Sequence, residues 1–250
     1  MTKRYVALGS SMAAGPGIRP RAKGAPWGSG RSARNYPHLV AEQLGLELVD
    51  VTFSGATTAH VLAERQRGAP PQVDALDGSE QLVTITIGGN DVGYIPLLMA
   101  ASLPRVARLL PNIAALLDRG ARDQALSQVG DSLRAVGATV RRRAPNARVM
   151  FVDYLTMLPP NGQRAAPLSA VDADLGRHVA ARLEELTAAA AQATGCGIVR
   201  AGQASRDHHA WSADAWVVGA AWPLPWRPAP FHPNAAGMRA VAELVVAATH

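Results

Sequence analysis

The chain has 250 residues, of which 48% are hydrophobic, and it carries a formal net charge of +6. This length and composition predict one globular domain over residues 1–250 and exclude a disordered chain. No stretch is long and apolar enough to cross a bilayer, so we expect no stable membrane insertion.

The amino terminus carries Lys3 and Arg4 before an apolar run, as a secretory signal does. Gly9 ends that run after a few residues, which is too short for the hydrophobic region of a signal peptide. Cys196 is the only cysteine. No intrachain disulfide can form, and a reducing compartment suits such a chain. We therefore expect a cytoplasmic protein.

The positive charge would permit binding to nucleic acid or to an anionic surface. The basic residues are almost all arginines and are spread along the chain. The one dense cluster, Arg141–Arg143, ends a predicted helix, where cations complement the helix dipole. Because no recognised nucleic-acid module is present, we interpret the charge as a solvated basic surface and expect no nucleic-acid partner.

Five short apolar runs predict β-strands. In chain order they are Tyr5–Leu8, Leu46–Thr52, Gln81–Ile87, Arg148–Asp153 and Gly197–Arg200. Helical patterns lie between and after them, at 35–44, through Val61 and Leu62, over 96–143 with breaks near Pro104, Pro111 and Gly120, at 170–194 and at 235–248. Alternating strands and helices imply parallel strands joined by crossovers. The sequence therefore predicts a three-layer α/β/α sandwich with a five-stranded, mostly parallel sheet.

The first three predicted strands run into turns that contain glycine, at Gly9–Ser11, Ser54–Thr58 and Gly88–Asp91. In an open α/β sheet the carboxyl ends of the strands share one edge, and ligands bind there. Ser11 is our candidate nucleophile, because a serine in such a turn can expose its hydroxyl. The alternative is that Ser10 and Ser11 only cap the next helix.

A long region rich in tryptophan and proline, residues 201–232, ends at His232. A loop of this length in a compact domain is usually functional. Acyl transfer needs a nucleophilic hydroxyl, an imidazole that takes its proton, and donors for an oxyanion. Ser11 and His232 would fill the first two roles. The N–H groups of Ser11 and Gly55, with the side-chain amide of Asn90, would form the oxyanion hole.

These segments resemble the four sequence blocks of the SGNH hydrolase superfamily, the GDSL-type lipases and esterases. Leu8–Ser11 resembles the first block, Ser54–Thr58 the second, Gly88–Asp91 the third and His232–Asn234 the last. The blocks span nearly the whole chain in the family's order. The resemblance implies a flavodoxin-like fold and a serine ester hydrolase that needs no cofactor.

The chain departs from the family pattern in two blocks. Ser10 stands where the first block normally has aspartate, so we expect altered hydrogen bonding in that turn. Ala229 stands where the family usually has the triad aspartate, three residues before the histidine. A histidine base needs a group that orients it. We expect the backbone carbonyl of Ala229 or a neighbour in that role, with Asp207 and Asp214 as alternatives.

Four aromatic residues near the predicted site are candidates for an acyl or aryl pocket, namely Trp211, Trp216, Trp226 and Phe231. Aromatic walls with a few polar groups are typical of ligand sites. The alternative is that the tryptophans only pack the long loop.

Several other polar residues have simpler predicted roles. Adjacent histidines without a third spaced ligand seldom form a metal site, so His208 and His209 predict no metal. Asp91 is expected to anchor its turn. Asp153, at the end of the fourth predicted strand, is expected to cap a turn.

Together these features predict an enzyme that cleaves carboxylic esters through an acyl-enzyme, acting on a small-molecule or lipid-like ester. A carbohydrate O-deacetylase or an acyltransferase would use the same site. A non-catalytic binding module that lost the triad acid is the alternative from another class. A flavodoxin-like nucleotide binder is disfavoured because the chain has no phosphate-loop pattern. The sequence leaves the oligomeric state open.

Overall fold

A computed structural model describes residues 3–222, 224 and 227–249 of the chain. Its five strands form one sheet. They are β1 (Arg4–Gly9), β2 (Glu47–Asp50), β3 (Glu80–Thr86), β4 (Arg148–Val152) and β5 (Gly197–Val199). The strand order is β2-β1-β3-β4-β5, and each pair of neighbours is parallel. This is the flavodoxin-like order, so the predicted fold class is confirmed.

Among the described residues, nine α-helices connect and follow the strands. They are α1 (Ser11–Ala14), α2 (Tyr36–Leu44), α3 (Thr58–Leu62), α4 (Tyr94–Ala101), α5 (Pro111–Ala114), α6 (Arg119–Arg143), α7 (Ala170–Ala193), α8 (Ala201–Ala204) and α9 (Ala235–Ala247). Helix α2 packs against α9, whereas α6 packs against α7. The two pairs cover the sheet on opposite faces, as right-handed crossovers require for this strand order.

The core is centred on β1, which lies between β2 and β3. Tyr5, Val6, Ala7 and Leu8 are completely buried. An uninterrupted apolar run is expected for a parallel strand that is covered on both faces. The one polar side-chain atom in this run, the Tyr5 hydroxyl, is 2.7 Å from the hydroxyl of Thr84 on β3. Pairing of this kind offsets the cost of burying a polar group.

The stretch between β3 and β4 is less helical than predicted. Residues 102–118 form α5 and two short 3₁₀ turns, because Pro104 and Pro111 interrupt the helix. The break expected near Gly120 lies at Asp118, and α6 begins at Arg119. The Asp118 side chain accepts the backbone N–H of Ala121 at 2.6 Å and so starts the helix before the glycine.

Within the described part of the chain, no helix is both long and apolar enough to span a membrane.

Candidate active site

The turn that carries Ser11 is fixed by β3 and by a buried glutamine. Gly9 has φ +152°, and a Cβ there would lie 2.6 Å from the carbonyl oxygen of Thr86. Only glycine fits such an approach. The Ser10 N–H donates to that carbonyl at 2.9 Å. The Gln72 side chain accepts the Gly9 N–H at 2.7 Å and donates to its carbonyl at 3.0 Å. Ser11 is thereby held at the carboxyl edge of the sheet.

The structure brings Ser11 and His232 together, although 221 residues separate them. The His232 Nε2 atom is 2.7 Å from the Ser11 hydroxyl oxygen, and its Nδ1 atom is 2.7 Å from the carbonyl oxygen of Pro230. A carbonyl can only accept a hydrogen bond, so Nδ1 carries the proton. The Nε2 lone pair then faces the serine hydroxyl, which is the geometry of a general base.

Burial keeps the imidazole neutral. His232 is only 8% exposed. Removal from water disfavours the charged ring and lowers the pKa of His232 below its ordinary 6.5, while the Pro230 carbonyl partly opposes this effect. A neutral histidine at neutral pH can accept the proton of Ser11.

The backbone around His232 is tied to the long loop and to α9. The Asn234 side chain caps α9 by accepting the N–H of Gly237 at 2.9 Å. Phe231 has φ +55° and donates its N–H to the carbonyl of Val218 at 2.9 Å, and the His232 carbonyl accepts the N–H of Val218 at 2.9 Å. The histidine therefore lies on a segment whose backbone is held by hydrogen bonds on both sides.

The group that orients His232 is the neighbour of the residue favoured from the sequence. The Ala229 carbonyl accepts the backbone N–H of His232 at 3.3 Å, whereas the Pro230 carbonyl accepts from the ring. Neither alternative carboxylate occupies that position. Asp214 lies 3.3 Å from His208 Nδ1, and Asp207 lines a cavity beside α7.

The three N–H donors predicted for the oxyanion hole, those of Ser11, Gly55 and Asn90, lie in turns that follow β1, β2 and β3. Ser11 is the first residue of α1, so its N–H has no acceptor within the helix. Among the described residues, no acceptor pairs with the N–H of Gly55, which lies at φ +81° in the second turn. The Asn90 amide donates one hydrogen to the carbonyl of Ala56 at 2.7 Å, which orients the group and leaves its second N–H for another acceptor.

Asp91 anchors the neighbouring turn rather than its own. Its carboxylate accepts the backbone N–H of Thr58 at 3.1 and 3.2 Å and the Thr58 hydroxyl at 2.5 Å. Burial raises the pKa of Asp91, and the bonds from Thr58 oppose that rise. This contact couples the turn of Gly55 to the turn of Asn90, so the two predicted donors keep their spacing.

Tyr154 is a residue of the site that the sequence reasoning missed. Its hydroxyl lies 3.1 Å from the Ser10 hydroxyl and accepts the backbone N–H of Gly89 at 3.0 Å. A Cβ on Gly89 would lie 2.3 Å from the tyrosine ring, so the glycine makes room for it. The available signal was position, because Tyr154 follows β4 at the same edge of the sheet.

The predicted aromatic pocket residues are engaged in other contacts. Trp211 donates its ring N–H to the carbonyl of Ala166 at 3.0 Å. Trp216 stacks on His208 with ring centroids 4.0 Å apart. Phe231 is completely buried, so its ring packs inside the protein. These contacts fit the alternative role of loop packing. Trp226 lies outside the described residues, and its pocket role stays a prediction.

A cavity of about 330 Å³ lies beside Tyr154. The loop after β4 and one face of α7 form most of its lining. Asp153 faces it and accepts the N–H of Gly202 at 2.7 Å through one oxygen, which is the predicted capping role. Burial raises the pKa of Asp153 to about 7, and the charge of Glu184 adds to the rise.

The two adjacent histidines make separate contacts. His208 Nδ1 lies 2.8 Å from the carbonyl oxygen of Asp214, and His209 Nδ1 accepts the N–H of Trp211 at 3.2 Å. Within the described residues, no group of three or more His, Cys, Asp or Glu is placed to hold a metal ion.

A flavodoxin-like sheet with a serine–histidine pair at its carboxyl edge defines an α/β serine hydrolase. The chain belongs to the GDSL-like lipase/acylhydrolase family, whose model matches residues 7–240. It is 34% identical to Lipase 2 of Streptomyces coelicolor over 97% of this chain and 84% of that protein. It is 31% identical to a lipase of Streptomyces rimosus over 66% of this chain and 57% of that protein.

Solved structures give the same assignment. The chain superposes on phospholipase A1 from Streptomyces albidoflavus with a TM-score of 0.82 and 27% identity, covering 100% of this chain and 99% of that one. For an extracellular lipase from Streptomyces rimosus the TM-score is 0.81 at 25% identity, with 99% of both chains covered. The chain is thus a serine ester hydrolase with an SGNH-type fold, as its sequence blocks predict.

Proposed function

We propose that this ester hydrolase works through a dyad of Ser11 and His232, with the backbone carbonyl of Pro230 in place of a triad carboxylate. The observation that carries the proposal is the pair of 2.7 Å contacts on the two ring nitrogens of His232. One contact sets the tautomer, and the other aligns the base with the nucleophile.

In the first half-reaction the Ser11 oxygen attacks the ester carbonyl carbon while His232 Nε2 takes the hydroxyl proton. The carbonyl oxygen becomes an oxyanion, which the N–H groups of Ser11 and Gly55 and the Asn90 amide stabilise. The C–O bond of the leaving alcohol then breaks, and His232 returns the proton to that alcohol. An acyl-enzyme on Ser11 remains.

In the second half-reaction a water molecule attacks the acyl carbon and gives a proton to His232. The tetrahedral intermediate uses the same oxyanion donors, and its collapse releases the carboxylic acid and returns the proton to Ser11. Each step uses groups of this chain and water only.

The ester class is established by the family, and we extend it to esters of lipid-like acyl chains. The support is that the similar proteins named above are lipases and a phospholipase A1. Rates on p-nitrophenyl esters from acetyl to long acyl, compared at equal concentration, test this extension. A strict preference for acetyl would instead favour the deacetylase alternative.

The cytoplasmic location predicted from the cysteine content and the amino terminus stays a prediction. The similar lipase from Streptomyces rimosus is an extracellular enzyme. Detection of the chain in washed cells and in culture medium would decide between the two compartments.

The dyad is tested by hydrolysis of p-nitrophenyl butyrate and by labelling with a fluorophosphonate. Ser11→Ala and His232→Ala are expected to lower kcat by at least about a thousandfold and to abolish labelling. Ser127→Ala, on the exposed face of α6, and His178→Ala, whose ring contacts Asp123 where α7 meets α6, are matched controls that are expected to keep both properties. Normal turnover by folded Ser11→Ala would rule the dyad out.

A further inference from the structure

Six large apolar side chains are mostly exposed in the described part of the chain. They are Trp27 (79%), Val106 (78%), Leu109 (81%), Leu110 (54%), Val171 (78%) and Trp222 (78%). Single exposed apolar residues are normal on a protein surface, but groups of them mark interaction sites. All six lie on segments at the carboxyl edge of the sheet, where Ser11 lies.

The largest group lies on the side of β4 and is called here the apolar rim, comprising Val106, Leu109, Leu110 and Val171. Helix α7 leads down to the start of β5, so its first turn, with Val171, lies at the carboxyl edge. Its 24 residues make it about 36 Å long, twice the length of β4, so this turn projects beyond the strands. Arg108 is bound to Asp172 at 2.5 Å, which holds the other three rim residues beside Val171.

The two exposed tryptophans lie on loops that border the catalytic residues. Trp27 belongs to the loop between α1 and α2, and the Ser29 carbonyl of that loop accepts the N–H of Ser54, the neighbour of Gly55. Trp222 belongs to the loop that leads to His232. Apolar side chains therefore project from the face of the molecule that carries the dyad.

The loop that carries Trp27 is strongly basic. Residues 15–35 contain five basic residues and no acidic one, and the five are Arg19, Arg21, Lys23, Arg31 and Arg34. All but Arg31 are exposed. Arg67 lies over the ring of Trp27, 5.5 Å from its centroid, and Arg105 is exposed next to Val106. A partner that fits this face has a negatively charged surface and an apolar interior beneath that surface.

We propose that the apolar rim and the two tryptophans dock this enzyme on a lipid surface that carries anionic headgroups, with Ser11 facing the lipid. Aliphatic side chains enter the acyl region, tryptophans favour the headgroup level, and basic residues attract anionic lipids. The inference rests on the proposed function, because docking brings lipid esters to the dyad only if the enzyme hydrolyses such esters. Docking itself is measurable without catalysis.

The test is flotation with lipid vesicles, using the Ser11→Ala protein so that the vesicles stay intact. Phosphatidylcholine vesicles with and without phosphatidylglycerol are compared at low and high salt. The protein is expected to float with the anionic vesicles, more weakly with phosphatidylcholine alone, and less at high salt because salt screens the charges.

Two sets of substitutions in that background separate the apolar and charged contributions. The double variant Leu109→Asp/Leu110→Asp is expected to bind both kinds of vesicle at least about tenfold more weakly. Ala189→Asp with Gln192→Asp, on exposed positions near the end of α7, adds the same charge far from the rim and leaves partitioning nearly unchanged. Lys23→Glu and Arg105→Glu are each expected to cost about fivefold or more on anionic vesicles alone.

Three results would overturn the proposal: no flotation of the Ser11→Ala protein, equal loss in the rim and control variants, or a dimer in light scattering that the rim variant dissociates. The last would show that a second copy covers the rim. Hydrolysis of p-nitrophenyl acetate by the rim variant, made with Ser11 intact, is expected to match wild type. Loss of docking and failure of the dyad are therefore distinguishable.

Discussion

His232 has a carbonyl at Nδ1 where the family usually has a carboxylate. A carbonyl sets the tautomer as well as an aspartate does, but it brings no negative charge to stabilise the imidazolium. Burial is thus the dominant influence on the ring, and it lowers the pKa of His232. The base remains neutral at pH values where an ordinary histidine is half protonated.

This environment predicts the acid side of the pH profile. The neutral ring is the active form, so activity is lost as the pH falls through the lowered pKa of His232. The midpoint of kcat/KM for p-nitrophenyl acetate is therefore expected below 6.5, the ordinary value. A midpoint above 6.5 would mean that a carboxylate reaches the ring in solution.

Asp153 predicts a pH dependence of stability rather than of activity. Its pKa is about 7 in the folded protein and 3.8 as a free side chain. Between these two pH values the carboxyl group is protonated in the folded state and ionised in the unfolded state. That stabilisation is complete below about pH 4 and disappears as the pH rises to about 7. Asp153→Asn keeps an acceptor for the Gly202 N–H and removes the buried charge.

The free energy of unfolding of Asp153→Asn is expected to match wild type near pH 4 and to exceed it by ~2–4 kcal/mol at pH 8. Urea unfolding at both pH values measures this difference. The matched control is Asp174→Asn, which removes an exposed carboxylate paired with Arg177 and is expected to change little. An Asp153 variant that is less stable at pH 8 would contradict the assigned pKa.

At the scale of elements, hydrogen bonds connect the turns after β1, β3 and β4 and hold the site together. Tyr154 joins them, since its hydroxyl contacts Ser10 after β1 and the N–H of Gly89 after β3. The family's aspartate is absent at position 10, and this tyrosine supplies hydrogen bonding to that turn instead. Asp91 makes the corresponding link to the turn after β2 through Thr58.

Removing the tyrosine hydroxyl tests this link. Tyr154→Phe leaves the Gly89 N–H without its acceptor, so we expect a loss of ~1–3 kcal/mol in unfolding free energy. A lower kcat with little change in KM is also expected, because the nucleophile and the oxyanion donors lose their alignment. Urea unfolding and steady-state kinetics measure the two effects.

Tyr94→Phe is the matched control. The Tyr94 hydroxyl is buried and has no hydrogen-bond partner among the described residues, so its removal is expected to cost nothing or to stabilise. If the two variants behaved alike, the Tyr154 hydroxyl would have no positioning role.

At the scale of the whole molecule, catalysis and docking would use the same face. The parallel sheet brings all five carboxyl ends to one edge, and the loops there hold the dyad, the apolar rim and the basic segment 15–35. If both proposals hold, we expect the enzyme to act best on esters that are already assembled into a surface.

Kinetics on assembled substrates test this expectation. Hydrolysis of a long-chain ester in mixed micelles is expected to rise when phosphatidylglycerol is added and to fall with salt. Hydrolysis of dissolved p-nitrophenyl acetate serves as the control and is expected to show neither dependence. Equal salt effects on both substrates would place the cause at the dyad rather than at the surface.

The five strands along the chain, the α/β/α class and the family could be predicted from the sequence alone. Buried parallel strands appear in the sequence as apolar runs. The turns after β1, β2 and β3 contain glycine, which is also a local feature of the sequence. The four blocks also suffice to propose Ser11, His232, Gly55 and Asn90 as site residues. Those roles stay predictions, although the structure pairs Ser11 with His232 and links Asn90 to the turn of Gly55 through the carbonyl of Ala56.

Other features depended on contacts between distant segments. Pro230, rather than Ala229, meets the histidine ring because Phe231 adopts φ +55° and directs the backbone there. Tyr154 acquires its role only when β4 packs beside β3. The aromatic loop residues pack against partners that no local pattern specifies. Local patterns thus determined the strands and turns of this protein, whereas the orientation of the histidine and the links between turns required the tertiary structure, because they are hydrogen bonds across the sheet edge.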